Sequence, residues 1–206
     1  MYFVITLVVI DKKEKEFMCG RMNVINDPLC QIVSDTLGIK FWADSNHDLC
    51  PSQKTATITA INGIYQQQDA NWGIQSSWSK RLLINAQSET VAEKPTFKHE
   101  FNHNRCLVPC SGLSEWRVEE GRKVKYLFSH VDNQPIYMAG IAYQSETPQL
   151  VTLTTSPNER CKLYHKRMPV LILPENIHYW FNSASEYLSP LMQAVNSELI
   201  NVTKAA

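Results

Sequence analysis

Polar and apolar residues alternate along several short stretches of the chain, a period of two that marks strands with one buried face. The alternation runs through residues 54–62 (KTATITAIN), 81–86, 106–109, 113–118, 123–129, 135–143 and 149–155. Helical signals are fewer. Asp27-Pro28 can cap and open a helix that continues to about Leu37, with Gly38 to end it. Ser156-Pro157-Asn158-Glu159 has the form of a helix start, with Ser as N-cap, Pro at the first helical position and Glu placed for a capping box. Two more helical stretches are expected near 174–181 and 184–195. Many strands, few helices and no strand–helix–strand alternation predict an α+β fold: a single compact β-rich domain on a mainly antiparallel or mixed sheet.

One apolar stretch fits neither period. Residues 1–10 (MYFVITLVVI) are apolar and are followed at once by the mixed charges of 11–16 (DKKEKE). No basic residue precedes the run and no small-residue cleavage site follows it, so it lacks the form of a secretory signal. It is also shorter than the roughly 20 apolar residues that span a bilayer. Residues 1–18 are therefore read as a non-functional leader, either an upstream start chosen in place of Met18 or a removed segment. The domain proper is 19–206. A short extra strand is the rival reading.

Composition narrows this only a little. The chain has 206 residues, long enough for one substantial core. Twenty Lys and Arg balance twenty Asp and Glu, so there is no global basic signal for a polyanion partner. Six dispersed cysteines without a secretion signal predict reduced thiols and a cytoplasmic location. Cys106 and Cys110 lie four apart, but no second pair has metal-ligand spacing, so no metal site is expected.

The chemistry-bearing residues fall in clusters. Met18-Cys19-Gly20-Arg21 reads like the start of a protein. A cysteine at an N-terminus carries a free amine beside its thiol, and that pair can close a thiazolidine ring on an aldehyde; an internal cysteine cannot. Trp72-Gly73-Ile74, with Trp78, is core sequence or a base-stacking face. Asn85-Ala86-Gln87-Ser88-Glu89-Thr90 ends an apolar strand and can be a capped turn. In Gly112-Leu113-Ser114-Glu115-Trp116 the alternation puts Leu113, Glu115 and Arg117 on one face. Glu115 is then either a desolvated pocket carboxylate suited to acid–base work or a surface partner of Arg117. Residues 160–169 (RCKLYHKRMP) gather Arg160, Lys162, Lys166 and Arg167 around His165, which suits an anion site or a solvated helix end.

Taken in order, Met-Cys-Gly-Arg, Trp-Gly-Ile, Asn-Ala-x-Ser-Glu-Thr, Arg-Cys-Leu-Val-Pro…Gly-x-x-Glu-Trp, Ala-Gly-Ile, Thr-Leu-Thr-Thr and His-x-Arg-Met-Pro resemble the SOS response-associated peptidase (SRAP) family. The resemblance runs from Cys19 to about Trp180. It implies a barrel-like β-rich fold with flanking helices and a groove for single-stranded DNA. It implies an enzyme of the DNA damage response that captures abasic sites as a covalent thiazolidine cross-link, with thiol peptidase or lyase activity and no cofactor. Catalytic roles are implied for Cys19, Asn85, Glu115 and His165, and DNA contacts for Arg21, Trp72 and Arg167. The partner implied is single-stranded DNA with abasic sites, with no membrane and no metal; a monomer is expected, although the sequence itself gives no oligomeric state. The alternatives are a cysteine peptidase, including one that frees its own leader, and a non-catalytic DNA binder. The chain departs from the family pattern at Gln87, where the family has Arg, and at Ser76 and Ser114.

Overall fold

The computed structural model describes residues 20–76 and 81–205. Cys19 and Trp78 lie outside the described residues. In chain order the strands are β1 (Met22–Val24), β2 (Asn46–Leu49), β3 (Lys54–Thr55), β4 (Ile58–Ile61), β5 (Ile64–Gln67), β6 (Ala70–Trp72) and β7 (Asn85–Gln87). They continue as β8 (Arg105–Cys110), β9 (Gly112–Glu119), β10 (Arg122–His130), β11 (Ile136–Tyr143), β12 (Gln149–Thr155), β13 (Met168–Pro169) and β14 (Ile200–Lys204). The α-helices are α1 (Asn26–Leu37), α2 (Pro95–His103) and α3 (Ile177–Asn182).

Two sheets share the core. One has the order β14-β10-β9-β1-β2, the other β3-β6-β12-β11-β8-β4-β5, with β7 and β13 also paired to β12. Most pairs are antiparallel; β6 and β7 run parallel to β12. The α+β, β-rich expectation therefore holds. The chain passes from one sheet to the other at Ser111, between β8 and β9. Gly112 is required there, because a Cβ would come within 2.7 Å of the Phe128 carbonyl oxygen. Ser111 also ties the sheets together: its N–H donates to the Asn23 carbonyl, and its hydroxyl accepts from the Ile25 N–H.

Most of the expected strands are found close to where the pattern puts them, and β12 occupies 149–155 as expected. Residues 81–86, however, are a strand only from Asn85, where β7 begins, with an isolated bridge at Leu83 before it. The stretch 54–62 is instead two strands, β3 and β4, separated at 56–57. Helix α1 ends at Gly38 in the left-handed region, φ 65°. Two helix expectations fail. Residues 156–159 do not open a helix: Asn158 Oδ1 accepts from the Cys161 N–H at 2.9 Å, and only a 3-10 turn, Cys161–Leu163, follows. Residues 184–195 form short 3-10 turns, Ser185–Tyr187 and Ser189–Met192, because Pro190 cannot continue a helix. Among the described residues no helix is long and apolar enough to cross a membrane.

Candidate active site

Glu115 stands on β9 beside Leu113 on the same face, and both line a pocket at the junction of the two sheets. His165, Arg167, Cys161 and apolar residues such as Phe128 and Ile136 complete the lining. Glu115 is only 8% exposed, so it is the pocket carboxylate and not a surface partner of Arg117. Arg117 pairs with Glu119 instead, its Nε donating at 2.8 Å.

His165 sits in the loop between the 3-10 turn and β13. Its own N–H donates to the Cys161 carbonyl at 3.0 Å, and its Nδ1 accepts from the Arg167 N–H at 3.2 Å. An acceptor Nδ1 leaves the ring proton on Nε2, so a neutral His165 has a donor at Nε2. Cys161 is the described thiol of the cavity. Burial first, and the nearby Glu115 carboxylate second, push it up to about 11 against the opposing charge of Arg160. It is a thiol at neutral pH and not a nucleophile.

Arg167 is 16% exposed and its terminal nitrogens hold both carboxylate oxygens of Glu89, at 2.5 and 2.6 Å; Nη2 also donates to the Thr154 carbonyl at 2.6 Å. The Arg167 hydrogen bonds hold the Glu89 carboxyl below its usual range. Asn85, on β7, is outside the cavity lining; the Thr152 hydroxyl donates to its Oδ1. Gln87 is exposed on the same strand, two residues on.

Arg21 precedes β1. Its Nε donates to Asp48 at 3.3 Å, and Lys125 reaches the other oxygen of the same carboxylate at 2.9 Å. Both cations lie over the Trp116 ring, 5.9 and 5.5 Å from its centroid. The hydrogen bond from Lys125, then the charges of Lys125 and Arg21, hold Asp48 low.

Trp72 requires a correction. It is 0% exposed and its Nε1 donates to the Ile84 carbonyl at 3.2 Å, so it has no face on which a base could stack. It is a core residue. The structure therefore brings together Glu115, His165 and Arg167, sets Asn85 on neighbouring β7, and places Arg21 beside Trp116. Glu89 and Asp48, the partners of the two arginines, carried no role in the sequence reading. Glu89 stands in the Asn-Ala-x-Ser-Glu-Thr motif, the one signal that could have found it. His99 and His103 have His-Glu-x-x-His spacing on α2 with rings 4.9 Å apart. No group of three potential ligands forms among the described residues.

The chain matches the family model described as SOS response associated peptidase (SRAP) over residues 18–205. It is 27% identical over 199 residues to the abasic site processing protein YoqW of Bacillus subtilis (strain 168), covering 88% of this chain and 89% of that protein. It is 26% identical over 140 residues to the abasic site processing protein YedK of Escherichia coli (strain K12), covering 65% and 63%. A crystal structure of a protein from Bordetella bronchiseptica superposes with a TM-score of 0.79 at 17% identity, covering 91% of this chain and 100% of that one. At that identity the likeness shows the fold alone.

Proposed function

Because the chain belongs to the SRAP family, which it matches over nearly its whole length, we propose that it senses and processes abasic sites in single-stranded DNA, capturing them covalently at Cys19. The working chain then starts at Cys19, with residues 1–18 an unused or removed leader. The observation that carries this reading is the convergence of Glu115, His165 and Arg167 on one cavity beside the strand that follows Cys19. The Arg21 carbonyl accepts from Ser114 N–H at 3.0 Å, next to Glu115.

The chemistry follows from the groups present. A ring-opened abasic deoxyribose carries an aldehyde. The Cys19 amine adds to the carbonyl carbon, and loss of one water gives an imine. The thiolate then adds to the imine carbon, the nitrogen takes a proton, and the thiazolidine closes. One water leaves and no electrons are gained or lost. Glu115 can supply the proton that the departing hydroxyl needs, and His165 Nε2–H can hold a sugar oxygen. Asn85 offers an amide to the sugar or the aminothiol. Arg21 and Arg167 are the candidates for the flanking phosphates. The same imine would allow strand cleavage by β-elimination. In the peptidase reading the nucleophile would again be Cys19, since Cys161 is protonated.

The test is a denaturing gel of the Cys19-initiated protein with an abasic single-stranded oligonucleotide. A shifted, protein-bearing band is expected; its absence would refute the proposal. Substituting Glu115→Gln keeps the shape and removes the transferable proton. The single-turnover capture rate should fall by about 10²–10⁴-fold, the usual worth of a positioned acid–base group. An unchanged rate would remove Glu115 from the mechanism.

A further inference from the structure

We infer that Glu89 sets the lesion specificity of this site by holding the fork of Arg167 that a DNA phosphate would take. The inference rests on the function proposed above. A guanidinium has five N–H donors, and two of them on the Nη1–Nη2 edge form the fork that grips two oxygens of a carboxylate or phosphate. Glu89 closes that edge, Thr154 takes a third donor, and Nε is buried with no acceptor among the described residues. The guanidinium has no second fork to offer, so a phosphate gains bidentate contact with Arg167 only by displacing Glu89.

The exposures suit such an exchange. The Glu89 side chain is 47% exposed and can turn into solvent, whereas Arg167 is 16% exposed and stays in the cavity wall. Gln87, two residues before Glu89, brings no charge to compensate. An intact strand must therefore compete with a carboxylate already in place. An abasic strand adds the covalent anchor at Cys19 and is retained in spite of that competition. Glu89 thus lowers affinity for undamaged DNA and widens the margin in favour of the lesion.

The experiment is binding of an intact single-stranded oligonucleotide to the Cys19-initiated protein, followed by fluorescence anisotropy over a series of salt concentrations. Glu89→Gln is expected to tighten binding roughly tenfold, the scale of one charge-assisted bidentate contact. The plot of log affinity against log salt should steepen by about 0.7, one extra phosphate on a single strand. Glu89→Ala, which leaves no amide oxygen to hold the fork, should do the same. Combining Arg167→Ala with Glu89→Gln should erase the gain, because the gain is Arg167's. A purely structural pair would weaken binding or leave it alone, and would not steepen the salt dependence. Unchanged or weaker binding by folded Glu89→Gln and Glu89→Ala proteins overturns the inference. Tighter binding without any abasic cross-link would refute the capture chemistry while leaving Glu89 as the competitor for phosphate. No DNA binding by any variant would overturn both.

Discussion

A Cys19-initiated protein carrying Cys19→Ala is expected to form no heat-stable adduct with abasic DNA, yet to give a covalent product when borohydride is added. The two halves of the aminothiol do different work. The amine forms the imine, which borohydride reduces to a permanent bond. The thiol closes the ring, and without it the imine hydrolyses. A chain that retains Met18 ahead of Cys19 makes the complementary change: the thiol is kept and the amine is lost to a peptide bond. It should yield no heat-stable adduct, because the Met18 α-amine can form an imine but has no thiol beside it to close the ring. Denaturing gels without borohydride separate the Cys19-initiated protein from both altered chains. A stable adduct from the Cys19→Ala chain, or from the chain retaining Met18, would sink the thiazolidine mechanism. Intact mass of the protein from its native gene then shows whether residues 1–18 are present in the working form.

How much of this was legible beforehand differs by physical cause. The face shared by Leu113 and Glu115 follows from strand alternation, and both line the cavity. What the alternation could not say is who pairs with Arg117. Glu119, one pleat further along the same face, took that role and left Glu115 in the pocket. Trp72 shows the reverse failure: a tryptophan in a motif gives no sign of which way its ring faces, and here the fold buries it completely. Helix α2 was missed although its signals were present, Pro95 at its first turn and Phe97 and Phe101 four apart on its buried face. The false helix start at 156–159 had good local chemistry. The chain there must instead turn sharply, with Asn158 Oδ1 accepting from the Cys161 N–H and Asn158 N–H held by Met168 Sδ at 3.3 Å, to bring His165 to the cavity. The Glu89–Arg167 pair joins residues 78 apart, and no local pattern encodes that contact.

Arg105→Met is expected to cost about 3–5 kcal/mol of stability, read by chemical denaturation, the scale of breaking a buried charged network. At about 2–4 °C per kcal/mol for a chain of this size, the melting temperature should fall by about 10 °C. Arg105 opens β8 and is 9% exposed. Its five described hydrogen bonds all go to backbone carbonyls: Nε to Trp180, Nη1 to Phe101 and Asn102, Nη2 to Phe181 and Ser183. Those carbonyls belong to the last turns of α2 and α3 and the residue capping α3, where helices leave unpaired acceptors and negative dipole ends. One cation therefore closes two helices at once, and it also lies 5.8 Å from the Trp180 ring centroid. Burial lowers its pKa below the usual value, but a guanidinium stays charged at any pH of interest. Methionine fills similar volume and offers no donor, so five carbonyl contacts lose their partner in a dry setting. Arg105→Lys, with three donors and no planar fork, should fall between the two. A loss below about 1 kcal/mol for Arg105→Met would mean that water reaches these carbonyls. Cross-linking by the folded fraction at low temperature should survive, because Arg105 acts on the β8 end opposite the Ser111 crossing that leads to Glu115.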